Sequence, residues 1–448
     1  MDFLNKLVIP LSPGHIEWLH YILMLMFFLF IPFISLIFGG TALSVFYRKK
    51  GMHENNENYL NFAKDIIDIS TINKSMGLIL GLLTLVISIL IYVQLFHSVN
   101  TSIENYLIVA LLLIFIGLIL IYTYRYSLTS TKNFDALKDN PSKDEKINHD
   151  FNKLKKSSKN LSLQTGGYGL VILFIAIWIF IGGVEIATYL KEWANKNVWE
   201  ILFSLTVISK LIVFLSLSAA FTGSFLLFKF FYWGGGIKDI SEDYASFVRK
   251  VGIRLAFTGS LVMPLFLTID LFDLPDNALS QAVFFYAVLA VILVFLGYQF
   301  LYAMSTRKTT KYSSTIFFII LLTIMSVVVK DQLAMINSTK IQTAKLSIQY
   351  EKIMQKLTEK TEVSEISGKE IYQKICSACH SFDHKVVGPP YAKTLPKYKG
   401  NVEKLVSYIM NPIQDNPGYP PMPNPGLSSV QAHAVAKYIL TEVKKYEK

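Results

Sequence analysis

Cysteine is nearly absent from this chain of 448 residues, which has only Cys376 and Cys379. Two thiols exclude a disulfide-stapled scaffold and a four-thiolate zinc or iron–sulfur site. Charge is also scarce. Asp, Glu, Lys and Arg make up 17% of the residues, against about 25% in soluble domains, which argues against an ordinary soluble enzyme. The sequence shows neither an internal repeat nor a phosphate-binding glycine loop. What is abundant is apolar surface. Hydrophobic residues reach 52% and the mean hydropathy is +0.42. Long apolar runs fill residues 16 to 334, and the remainder reads like a soluble domain.

A helix crossing the hydrocarbon needs about 20 mostly apolar residues. Eight stretches qualify, at roughly 17–46, 77–97, 107–124, 168–189, 201–228, 253–272, 282–303 and 314–334. The first is long enough to tilt or protrude. No basic n-region precedes it, so no cleaved signal peptide is expected. The loops alternate in charge. Segments 48–76, 125–165, 229–254 and 305–312 hold 22 Lys and Arg, including Arg48, Lys153, Lys155 and Arg307. Segments 1–16, 98–106, 189–200 and 271–281 hold three: Lys6, Lys191 and Lys196. The positive-inside rule puts the first set in the cytoplasm and both termini outside. Most of the net charge of +11 is then topological, and no nucleic-acid partner is expected. Trp18, Trp193, Trp199 and Trp233 fall near span ends, as an interfacial belt requires. Trp178 falls mid-span as packing. The charged segment 125–165 reads as a solvated, partly helical loop.

These features predict an all-α protein in three parts. A polytopic membrane domain of eight helices covers 1–336, with its N-terminus outside. Residues 337–365 form a linker. Ile341, Ala344, Ile348, Ile353 and Leu357 roughly follow helical spacing there, so it is either an amphipathic stalk or a partly ordered connection. A small helical domain covers 366–448.

That last domain carries the chemistry. Cys376-Ser377-Ala378-Cys379-His380 is a C-x-x-C-H sequence, the pattern of c-type haem attachment. The two thiols are spaced to join the two vinyl groups of one haem, and the adjacent His380 presents an imidazole to the iron. A dithiol redox motif would call for a βαβ pattern, and zinc for two more ligands. Met422, in Tyr419-Pro420-Pro421-Met422-Pro423, is the leading sixth ligand, because the prolines restrict the loop around it. His384 and His433 are the alternatives, and Met422 as packing alone is another. His384 lies too near His380 to reach the far face easily, and His433 falls in the terminal helix. A Met/His pair raises the potential and closes the iron to oxygen, which points to electron transfer.

The tail resembles the class I cytochrome c family over about 80 residues. Gly368, Tyr372 and Tyr438 match the family's crossing of first and last helices. Gly388-Pro389-Pro390 matches the segment whose proline carbonyl receives the His380 ring N–H. The resemblance assigns that role to Pro389 and puts Tyr391 at the haem. It implies one covalently bound haem c and a helix from about Ser428 to Lys444, N-capped by Ser428 or Ser429. The first span, through Phe27-Phe28-Leu29-Phe30-Ile31-Pro32, also resembles subunit I of cytochrome bd quinol oxidases. That family has a haem-ligating histidine where Phe27 stands. Its external quinol loop and Gly-Arg-Gln-Pro-Trp signature are missing too, which argues against an oxygen-reducing site.

The spans offer few ligands for chemistry of their own. His20 and His97 lie near the outer ends of the first two. They read as interfacial histidines, flanks of a quinone site, or ligands of a b haem, which is not expected. Glu185 and Lys210 read as an ion pair joining two helices or as a proton-release site for a quinol. Asp270 and Glu17 also fall near outer ends.

The combined expectation is a membrane-anchored monohaem c-type cytochrome of a bacterial inner membrane. Its tail would pass electrons on the periplasmic side, within a respiratory complex fed by quinol or a neighbouring redox subunit. A quinol-oxidising subunit with its own membrane cofactor is the second reading, and a structural subunit carrying a haem wire the third. Residues 366–448 hold eleven lysines against six acids, which favours acidic redox partners.

Overall fold

The computed structural model describes residues 10–71, 73–99, 101–136, 145–237, 240–365, 367–414 and 417–446. Among these, regular structure is helical throughout. The chain divides into two compact units, Met1–Ser347 and Ile348–Lys448.

Among the described residues the first unit contains eight helices long and apolar enough to cross a membrane: Pro13–Glu54, Lys74–Phe96, Ile103–Thr131, Phe151–Thr188, Leu205–Phe231, Glu242–Asp273, Gln281–Thr306 and Ser313–Ser338. Hydrocarbon offers no water to bond the backbone, so each span must satisfy its amides internally, as helices do. The first span has 42 residues, about 63 Å at 1.5 Å per residue, roughly twice the hydrocarbon thickness. It starts at Ser12, whose side chain accepts from the His15 N–H. It stops at Asn55, in the left-handed region at φ 51°. A short amphipathic helix, Glu57–Ser70, folds back against it and buries Phe62, Ala63, Ile66 and Ile67.

The long basic loop is mostly an extension of its flanking spans. Helices Ile103–Ala136 and Glu145–Thr188 run on into it and pack along each other. Ser127 Oγ lies 2.5 Å from the Ser158 carbonyl, and Arg48 Nη2 donates to Ser162 Oγ at 2.5 Å. The sixth span is interrupted at Val262, just before Pro264. Its first half packs against the fifth span at very short range. A Cβ on Gly259 would sit 2.5 Å from the Ala220 backbone nitrogen.

Three tryptophans, Trp18, Trp199 and Trp233, are exposed near span ends. Trp193 is not. It is buried, stacked on Tyr189 at 4.7 Å and 13°, and packs into the hydrophobic core of the unit. Trp178 does more than pack. Its Nε1–H donates to the Leu202 carbonyl at 2.9 Å, one of the carbonyls a helix end leaves without an intrahelical partner.

After Ser338 the chain breaks helix at Thr339 and resumes as Lys340–Glu365. The second unit then folds as short helices, Gly368–Ile371, Tyr391–Thr394, Val402–Met410 and Ser429–Glu442. Ser428 caps the last through a capping box with Gln431. Leu405, Val406, Ile409, Val435, Ala436 and Ile439 make the core between the last two. The first and last helices cross at Gly368, where a Cβ would meet the Ala434 carbonyl oxygen at 2.2 Å. Beside it, the rings of Tyr372 and Tyr438 lie 5.8 Å apart. Gly368→Val forces that crossing open. It is expected to destabilise the tail by about 1–3 kcal/mol, measured by denaturant unfolding of the purified chain followed at the tail's chromophore or ring absorbance.

Candidate functional site

In the tail, the segment Tyr372–Cys376 continues the first helix as a wider turn. The chain then folds tightly, with His380 N–H donating to the Cys376 carbonyl at 2.9 Å and Cys379 N–H to the same oxygen at 3.2 Å. The Cys379 carbonyl in turn accepts from Val387 and Gly388, at 3.2 and 2.8 Å. That closes the loop from His380 to Gly388 and returns Pro389 to the imidazole.

His380 Nδ1 lies 3.0 Å from the Pro389 carbonyl. A carbonyl oxygen has no proton to give, so Nδ1 is the protonated nitrogen and Nε2 keeps its lone pair. The ring is held on its flat side by Tyr391, stacked at 4.9 Å and 10°. Gly388 leaves room for it, since a Cβ there would lie 2.3 Å from the ring's Cε1. Burial raises the Cys376 thiol above its ordinary range, partly offset by a hydrogen bond with Tyr391. Burial, then the neighbouring Cys376, pushes the Tyr391 phenol well up. Both stay protonated and uncharged beside the cavity at neutral pH.

These groups open onto a cavity of about 350 Å³ lined by Cys376, Cys379, His380, Pro389, Tyr391 and Met422. Leu395, Tyr398, Leu405, Ile409 and Ile439 supply much of its apolar wall. Met422 belongs to the proline-rich loop before the last helix. That loop is tied down by Asn424 Nδ2, which donates to the Met410 carbonyl at 2.9 Å, and by Lys385 over the Tyr419 ring at 4.7 Å. The two histidines that competed for the sixth position are engaged elsewhere and do not line the cavity. His384 is exposed, with Nδ1 2.7 Å from Asp383 Oδ1. His433 is exposed, with Nε2 2.9 Å from Glu403 Oε1.

Residues 366–442 match the family model for cytochrome c. Over 79 residues the chain is 34% identical to a cytochrome c-551 of Azotobacter vinelandii, covering 96% of that protein and 17% of this one. Over 80 residues it is 38% identical to a cytochrome c-551 of Pseudomonas denitrificans, with shares of 96% and 17%. Through its tail, the chain belongs to the cytochrome c family. No solved structure matches. The family implies covalent haem c and electron transfer. The cytochrome c domain fits that group on its own geometry: two free thiols, an imidazole with a fixed tautomer and a thioether share one largely apolar cavity.

The membrane unit gathers a second set of polar residues. Lys210 Nζ lies 2.7 Å from Glu185 Oε1, 2.7 Å from Asp331 Oδ1 and 3.6 Å from Asp270 Oδ1. Lys330 bonds Asp270 and lies 2.8 Å from Asp331. What reads from sequence as a pair is therefore a cluster of five drawn from four spans. Lys330 and Asp331 escape a reading by individual residues. Their signal is a Lys-Asp-Gln triplet inside an otherwise apolar run. His20 is buried, with Nδ1 lacking a partner. His97 is exposed and its Nδ1 bonds the Gln94 carbonyl at 3.0 Å. Neither histidine lines the cavity beside the cluster.

Two variants separate these sites. Gly388→Val displaces the His380 ring while leaving both thiols in place. The expected product retains covalent haem but loses the low-spin spectrum, read by absorbance and electron paramagnetic resonance. Lys210→Met strips the carboxylates of a shared cation. It is expected to destabilise the membrane unit by about 3–5 kcal/mol, measured by thermal unfolding in detergent.

Proposed function

We propose that the chain is a membrane-anchored c-type cytochrome that carries single electrons through one haem held by its tail. Cys376 and Cys379 would hold the haem through two thioethers, and His380 Nε2 and the Met422 thioether would supply the ligands to its iron. The observation that supports this best is the shared cavity, which brings Met422 to the same space as the C-x-x-C-H turn across about forty residues of sequence. When bound, the haem supplies a one-electron couple at iron. The protein's own part is to hold that couple closed. Pro389 fixes the His380 tautomer and raises its basicity, Tyr391 keeps the ring from turning, and the tethered proline loop limits access to the opposite side.

We place the tail on the periplasmic side of a bacterial inner membrane, on the loop charges: 22 basic residues in one set against three in the other. Ten of the tail's lysines, among them Lys369, Lys385, Lys397 and Lys437, are exposed. They favour an acidic redox partner and association that weakens with salt. Eight spans exceed what an anchor needs, and contacts with other subunits of a respiratory complex account for the excess.

A pyridine haemochrome spectrum of the full chain is expected to show one c haem per polypeptide. Cys376→Ala or Cys379→Ala should leave no haem joined by two thioethers, and retention of both bonds would refute the attachment site. Met422→Ala should open the sixth position and lower the reduction potential. An unchanged spectrum would place that ligand elsewhere.

A further inference from the structure

The ion cluster of the membrane unit does not balance. Glu185, Asp270 and Asp331 are three carboxyls, and Lys210 and Lys330 are two ammoniums. Glu185, Asp270 and Lys330 are at most 3% exposed, and an uncompensated charge at such depth is costly. Asp331 contacts both lysines, and so does Asp270. Of the two lysines Glu185 contacts only Lys210, through Oε1, and its Oε2 is buried with no hydrogen-bond partner. Nearby, Gln332 Oε1 and Asp270 Oδ1 are buried acceptors without a hydrogen-bond partner, the latter still 3.6 Å from Lys210 Nζ.

Glu185 and Gln332 line a cavity together with Lys210, Asp270 and Asp331, and its remaining walls are Phe27, Phe30, Phe180 and further apolar side chains. Its volume is about 100 Å³ and water occupies about 30 Å³, so a few waters and a proton fit. Among the described residues no three His, Cys, Asp or Glu side chains are gathered so as to hold a metal ion.

We propose that this cluster is a proton-binding site, in which Glu185 carries an exchangeable proton that cancels the odd negative charge. Every neighbouring span bears on it. Lys210 comes from the fifth, Asp270 from the sixth, and Lys330 and Asp331 from the eighth. Tyr92 of the second and Tyr189, just past the fourth, also interact with Glu185. Asp273, at the rim, is occupied by the Thr206 hydroxyl. The first span contributes apolar lining only. All five members lie toward the same end of the bundle.

The test is infrared difference spectroscopy on the full-length, haem-loaded protein in nanodiscs at neutral pH. The carbonyl stretch of a protonated carboxylic acid is expected, shifting down in D2O as the site exchanges. Glu185→Gln should remove that band. Asp331→Asn should remove it as well, because two carboxylates then face two ammoniums and Glu185 ionises. Far-ultraviolet circular dichroism of each variant checks that the helices persist. The proposal is overturned if wild-type protein lacks the band, if the band survives in Glu185→Gln, or if it persists in folded Asp331→Asn. A band that does not shift in D2O would also overturn it, since that proton would be sealed in. So would a band that disappears on adding sodium or potassium at constant pH, since a metal cation would then be the ligand. The wild-type measurements stand even where a variant fails to fold.

Discussion

Inside hydrocarbon a backbone amide has no water to bond, and this constraint organises the membrane unit. It makes each apolar run a helix and sets the currency in which helices associate. Apolar side chains gain little by leaving lipid for one another, so close backbone approach and polar contacts decide the packing. The fifth span shows both. It meets the sixth at van der Waals limits around Gly259 and Ala220. It also meets the first through Ser218 Oγ, which donates to the Ser35 carbonyl at 2.6 Å. Near its N-terminal end it supplies Lys210, on which carboxylates from three other spans converge.

That convergence follows from the same constraint. A lysine among apolar helices is tolerable only where carboxylates reach it, and a carboxylate only where a cation or a proton does. Five ionisable groups from four helices thereby specify how those helices are rotated. An apolar seam alone would tolerate many rotations. The odd count is what turns a structural device into a candidate for proton chemistry.

The tail solves a different problem with different means. A domain of about 80 residues has a small core, here a dozen buried residues between short helices. A cavity of about 350 Å³ lies beneath the C-x-x-C-H turn. Covalent attachment suits such a domain, because a large apolar cofactor completes the core and cannot leave it. The local turn determines one side of the cavity, and the tethered proline loop determines the other.

Much of this is legible in the sequence, where the signal is local. Apolar run length marks eight spans, and the C-x-x-C-H spacing marks the haem site, because both depend on residues adjacent in the chain. Ser428 or Ser429 reads as a cap for the same reason, and Ser428 takes that place. What sequence leaves open depends on contacts between distant segments. Trp193 reads as interfacial and is buried, because it stacks on Tyr189 within the core of the first unit. His384, His433 and Met422 remain rivals until the fold brings Met422 alone of the three to the cavity. Glu185 and Lys210 look like a pair until Asp270, Lys330 and Asp331 arrive from two further spans. Periodicity, spacing and composition carry the elements, the attachment motif and the charge asymmetry of the loops. Which polar groups meet is a matter of the folded packing, because burying a charge depends on the sum of its neighbours and not on its place in the chain.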